Sequence, residues 1–151
     1  MHYEFWGADD ALVTAKTDIY RGIDTGVDLY EALSHIWCAD TCAPRMRQLW
    51  TKDNMTMGQC SITAFLAQDI FGGDVYGILR PGGNYHCFNV VDGHRFDITS
   101  EQFTSIANPE YLDYDDCSLQ LREDHFSKEE KRLRYELLKA KLLEYVSNRP
   151  L

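Results

Sequence analysis

Three side chains that together can perform nucleophilic catalysis stand in the middle of the chain: Cys60, within Met57-Gly58-Gln59-Cys60, then His86, then Asp97. A thiolate attacks a carbonyl carbon, while a nearby imidazole takes the thiol proton and later protonates the leaving group. A carboxylate beside the imidazole fixes its tautomer and stabilises the imidazolium. Cys60 falls where a helical pattern begins, so the positive helix end and its unpaired amides lower the thiol pKa and favour the thiolate. The same amides can supply part of an oxyanion hole, and Gly58 lets the backbone approach a substrate closely. Taken singly, each residue has a structural explanation. A buried cysteine packs, a strand histidine is structural or exposed, and an aspartate before Thr99 caps a turn. The case for a triad rests on what brings the three together.

The elements that must do so can be read from periodicity. Asp9 or Asp10 is expected to cap a helix over Ala11–Tyr20, and Asp28 a helix over Leu29–Trp37, with Gly22 and Gly26 between them. Residues 39–58 contain Pro44 and many turn formers, and form a long connection of the kind that often carries function. From Gln59, Ile62, Phe65, Leu66 and Ile70 recur at helical spacing until Gly72-Gly73. The pattern then turns β-like over Asp74–Leu79, Asn84–Val91 and His94–Ile98. Thr99 and Gln102 form a capping box for a short helix. Residues 108–126 are acidic and aromatic without a clear period. Ser127 and Glu130 are expected to cap a last helix reaching about Val146, with Leu133, Leu137, Leu138, Leu142 and Tyr145 buried. Helices beside a small antiparallel sheet make an α+β fold, in one domain over residues 1–151.

Asp92-Gly93 is a strong signal for a two-residue hairpin. That turn pairs Val91 with His94, Val90 with Arg95 and, by continuation, Phe88 with Asp97. His86, Phe88 and Val90 then share a face, and Asp97 lies diagonal to His86, about 7–8 Å away at Cα. The helix that starts at Cys60 is the expected cover for this face. A loop one residue longer would put His86 and Asp97 on opposite faces.

Composition bounds the rest. The 151 residues carry a net charge of −9, which argues against nucleic acid and anionic membrane surfaces as partners. No apolar run reaches the ~20 residues of a membrane span, and the first residues lack the features of an export signal. The five cysteines are therefore expected to be thiols kept reduced in the cytoplasm. His35, Cys38 and Cys42 have spacing that could hold a metal on one helical face, but no second cluster accompanies them, so no metal or other cofactor is expected.

Gly58-Gln59-Cys60 opening a helix, with His86 and Asp97 on the following strands, resembles the transglutaminase-like and papain-like cysteine enzymes. The longer pattern is similar to the bacterial YunG-like family over about residues 37–104. It includes Asp40-Thr41-Cys42, Pro44, Trp50, Asn54, Gly58-Gln59-Cys60, Thr63-Ala64, Gln68-Asp69 and Gly72-Gly73, and then His86, Asn89, Asp97-Ile98-Thr99 and Gln102-Phe103. The resemblance implies the fold and the triad rather than a substrate. Ser61 departs from the aromatic residue that transglutaminases carry after the nucleophile. Asn54 stands at the offset of the oxyanion glutamine of papain-like proteases; Asn54 or Gln59 could donate that bond, and either could equally be structural.

The reading of the sequence is thus a cysteine hydrolase or acyltransferase acting on an amide or ester of a peptide, a protein or a small molecule. The alternative is a non-catalytic papain-like module that binds a peptide or protein partner, with Tyr111–Cys117 (YLDYDDC) as its rim or as a solvated loop. Oligomeric state is open.

Overall fold

The computed structural model describes residues 5–103 and 112–149. The described α-helices and strands are α1 (Gly26–Leu33), α2 (Cys60–Phe71), β1 (Asp74–Leu79), β2 (Tyr85–Val91), β3 (His94–Phe96), β4 (Ser118–Gln120), α3 (Arg122–Phe126) and α4 (Glu129–Asn148), with short 3-10 helices at Ala8–Asp10, Ala39–Thr41, Pro44–Leu49 and Ser100–Phe103, the last where Thr99 and Gln102 lead one to expect a short helix. All strand pairings are antiparallel, in the order β3-β2-β1-β4, and the helices gather beside this sheet in an α+β arrangement. The hairpin forms as its turn residues require. Asp92 (φ 51°) and Gly93 (φ 83°) both take the left-handed conformation of a tight primed turn, and Val91 pairs with His94.

α2 is apolar almost all round, with Ile62, Phe65, Leu66, Ile70 and Phe71 fully buried, so it lies inside the molecule rather than on its surface. It packs on the β2 face that carries Cys87, Asn89 and Val91, and the Asn89 amide donates to the Ala64 carbonyl at 2.8 Å. The opposite face carries Phe88, with Val90 beside it, and is covered by Leu112, Tyr114 and Cys117 rather than by α2. The expected sharing of a face by His86, Phe88 and Val90 follows from the pleat; the expected cover does not. Leu112–Cys117 supplies that cover, and β4 and α3 follow it, in a stretch whose sequence has no period. Tyr111 lies outside the described residues.

The expected helix over Ala11–Tyr20 does not form. Ala11 and Val13 are buried while Leu12, Thr14 and Lys16 are exposed, an alternation of two that belongs to extended chain. Ala15 N–H and Lys16 N–H donate to Asp24 and Ile70 carbonyls, so tertiary bonds hold this strand-like segment. α1 starts earlier than expected, because Thr25 rather than Asp28 is its cap. The Thr25 hydroxyl accepts from Asp28 N–H and the Asp28 carboxylate accepts from Thr25 N–H, a reciprocal capping box. α1 also ends at Leu33, short of Trp37. α4 is preceded by Lys128 with no side-chain cap, while the Ser127 hydroxyl bonds the Asp124 carbonyl instead. Its buried stripe is Tyr135, Leu138, Leu142 and Val146 together with Arg134; Leu133 is exposed.

Candidate active site

In a two-residue hairpin Val91 and His94 exchange both hydrogen bonds, so Asn89, Cys87 and Tyr85 turn their backbone groups to the same edge of β2. β3 stops at Phe96, opposite Asn89, and leaves that edge open at Cys87 and Tyr85. The first residue of α2 occupies the gap. Cys60 Sγ lies 3.8 Å from the Tyr85 carbonyl, and Cys87, two residues along the same edge, is the neighbour that most lowers its pKa. The nucleophile candidate thus meets β2 at its open edge rather than over the face of His86.

Asp97 does not continue the hairpin. It leaves β3 to pair with Trp6, donating its N–H to the Trp6 carbonyl at 2.8 Å. Its fully buried carboxylate then reaches His86, with Oδ2 2.5 Å from Nε2. The same Oδ2 accepts from the Tyr114 hydroxyl at 2.6 Å, and Oδ1 accepts from the backbone and hydroxyl of Thr99. Four bonds therefore fix a carboxylate that holds the imidazole. Tyr114 is fixed in turn by stacking on Trp6, with ring centroids 3.7 Å apart, and Phe103 meets the edge of the His86 ring at 4.6 Å. His86 Nδ1 is buried and finds no partner of hydrogen-bond geometry among the described residues. Cys60 and His86 nonetheless shift one another's pKa, the thiol lowered and the imidazole raised, so the two groups are neighbours.

These contacts set the charges. Hydrogen bonding from Cys87 and the charge of His86 outweigh burial and hold the Cys60 thiol well below the ordinary range. Burial alone would push His86 down, but Asp97 and Cys60 together carry it up to about 10. Cys87 itself, beside the Cys60 thiolate and buried, is pushed well up and stays a thiol. Both shifts act in the direction of a Cys60 thiolate beside a His86 imidazolium.

Cys60, half-buried, opens onto a cleft of about 640 Å³ whose walls include Pro44, Gly58, Tyr85, His86 and Phe103. Gly58 (φ 71°) earns its place against the chain rather than against a substrate, because a Cβ there would stand 2.5 Å from Cys42 Sγ. Gln102 ties the cleft together: its Oε1 accepts from Gly58 N–H and its Nε2 donates to the Thr99 carbonyl. The Gln59 amide donates to the Cys38 carbonyl, and the Asn54 backbone N–H donates to the Thr51 carbonyl.

His35, Cys38 and Cys42 are not gathered. The helix that would have aligned them ends at Leu33; His35 stacks on Tyr145 and Cys42 packs against Gly58. Among the described residues no group of three or more His, Cys, Asp or Glu side chains could hold a metal. Three neighbours of the site carry no distinctive signal in the sequence: Tyr114 lies in a stretch without period, and nothing in their elements sets Cys87 or Lys131 apart. Lys131 lines the cleft with its Nζ 2.9 Å from His125 Nδ1. Burial lowers its pKa against the raising effect of the Cys60 charge, and burial with Lys131 pushes His125 down to about 4.

Fold and site together define an α+β protein in which a buried carboxylate–imidazole pair backs a helix-opening thiol at the wall of a cleft. The chain belongs to the YunG family, whose model, described as "YunG protein", matches residues 25–147. It is similar to the uncharacterized protein YunG of Bacillus subtilis (strain 168), with 41% identity over 54 residues. That alignment spans 36% of this chain and 46% of the relative, less than half of its length. No solved structure matches. No helix among the described residues is long and apolar enough to cross a membrane.

Proposed function

We propose that the protein is a cysteine-dependent hydrolase or acyltransferase of the papain-like and transglutaminase-like kind, acting on an amide or ester. The carrying observation is the 2.5 Å bond from Asp97 Oδ2 to His86 Nε2, sealed from water, with Cys60 next to the ring on a cleft wall. A structural ion pair has no need of a third, ionisable thiol at the free side of its imidazole.

The Cys60 thiolate adds to the substrate carbonyl carbon, forming the S–C bond and placing negative charge on the carbonyl oxygen beside the amides of α2. The His86 imidazolium gives its Nδ1 proton to the departing amine or alcohol as the C–N or C–O bond breaks, leaving a thioester. Neutral His86 then takes a proton from water or an acceptor amine, which attacks the thioester and releases Cys60. Asp97, held by Tyr114 and Thr99, keeps the ring in the one tautomer that can do this.

The test is competitive alkylation of the folded protein by limiting iodoacetamide at pH 7, read by peptide mass spectrometry. Cys60 is expected to be modified at least ~10-fold faster than Cys38, Cys42, Cys87 and Cys117. Equal labelling of all five, or a Cys60 that stays unlabelled, would sink the proposal.

A further inference from the structure

The cleft at Cys60 has a charge opposite to that of the molecule around it. The chain bears 24 acidic and 15 basic side chains, a net charge of −9. Yet the described residues lining the cleft include Arg45, Arg80, Lys128, Lys131 and Arg134, against Glu130 alone. The cations thus converge from the turn after Pro44, the loop after β1 and the start of α4 on one concave volume.

Some of them have structural work. Arg134 pairs with Glu130 and donates to the Thr41 and Gly58 carbonyls, so that acid and that base cancel within the wall. Arg80 lies 5.2 Å over the Phe103 ring, and Lys131 is bonded to His125. Arg45 and Lys128 differ. Both are exposed and make no ion pair among the described residues, in a protein with acids to spare. A concave wall of one sign focuses its field into the cleft and draws in the opposite charge. A guanidinium presents a flat fork suited to carboxylate or phosphate oxygens, and an ammonium adds a second point charge.

We infer that the substrate of this site carries an anionic group, a carboxylate or a phosphate, which Arg45 and Lys128 hold while its carbonyl lies at Cys60. This rests on Cys60 being the nucleophile, as proposed above. A neutral substrate would leave both cations without a counter-charge in a cleft it had partly emptied of water.

Two alkylating reagents of the same chemistry and different charge separate the claims. In each, the Cys60 sulfur forms a bond to carbon and iodide leaves, but iodoacetate is an anion and iodoacetamide is neutral. The ratio of the two rates at Cys60, iodoacetate over iodoacetamide, is expected to exceed that of free cysteine about 10-fold at low salt. In the unmodified protein at 1 M NaCl, where screening acts over roughly 3 Å, it should collapse toward the free-cysteine value. The double variant Arg45→Ala/Lys128→Ala should lower the ratio at low salt in the same way. A ratio equal to that of free cysteine in the unmodified protein would overturn the anionic substrate while leaving Cys60 a nucleophile. A raised ratio that survives in the double variant would overturn the assignment to Arg45 and Lys128. Failure of Cys60 to react with either reagent would overturn the nucleophile, and this inference with it. Acetate and inorganic phosphate, compared at equal ionic strength against iodoacetate, tell the two anions apart by which one protects Cys60 more. Protection by neither beyond chloride counts against a held anion.

Discussion

The charges of Cys60 and His86 are set by their neighbours rather than by either residue alone. His86 is raised to about 10 by Asp97 and Cys60, so the imidazolium is present below that pH and lost as pH rises through it. Cys60 is depressed, so its thiolate is lost only as pH falls through a value well under the ordinary thiol range. Between those limits the ion pair persists. Alkylation of Cys60 by iodoacetamide should therefore run nearly as fast at pH 7 as at pH 9. In His86→Ala the lowering by the imidazolium is lost while that by Cys87 stays, so the pH 7 rate should drop several-fold and the rate at pH 10 change little. A pH 7 rate unchanged by that substitution would remove His86 from the chemistry. Asp97→Asn takes away the charge that opposes burial, and the His86 titration followed by NMR should move down by about 2 units or more. These types were legible in the sequence, because thiol, imidazole and carboxylate at a helix start and in a hairpin are local facts. Tyr114 was not. It joins Asp97 only because Trp6, from the other end of the chain, stacks on its ring.

Among the elements, the connection over residues 39–58 depends on α4. Arg134, 7% exposed, donates to the carbonyls of Thr41 and Gly58 and pairs with Glu130, so one α4 side chain holds the loop that leads into Cys60. Arg134→Met keeps much of the volume and leaves two carbonyls without their charged donor. It should cost about 3 kcal/mol in urea unfolding, and Cys60 alkylation should slow as its loop loosens. A loss under about 0.5 kcal/mol would show that water replaces the guanidinium at no cost. The hairpin was legible from Val91–His94 to Asn89–Phe96, since a two-residue Asp-Gly turn leaves one register, but its continuation to Phe88 and Asp97 was not, because Asp97 turns to Trp6. The helix over Ala11–Tyr20 was misread for a physical reason. Ala11, Val13 and Ala15 are small or β-branched and fit either period, and the bonds that choose extended chain come from Asp24 and Ile70.

At the scale of the molecule, stability and site geometry meet in α4. Leu138, Leu142 and Val146 bury their side chains in the main core, while Lys128 and Lys131, at its beginning, line the cleft. Leu142→Ala should therefore lower stability by about 3 kcal/mol and the melting temperature by roughly 10 °C, measured by circular dichroism. A shift below about 2 °C would mean that α4 is not part of the cooperative unit. The molecule is acidic as a whole and basic in the cleft at Cys60, a contrast no net charge reveals, because composition adds charges without regard to where the chain carries them.

The sequence by itself determined what acts over a few residues: the helix opened by Cys60, the hairpin turn and its register as far as Phe96, and the reactive types themselves. Periodicity and turn chemistry are enough for these, since their interactions close within one element. Only the tertiary structure decided which face of β2 meets α2, that Cys60 enters at the edge β3 leaves open, that Gln59 serves the chain, and that cations from three segments share the cleft. Those outcomes turn on contacts between residues far apart in sequence, and such contacts are chosen by how whole elements pack rather than by any local pattern.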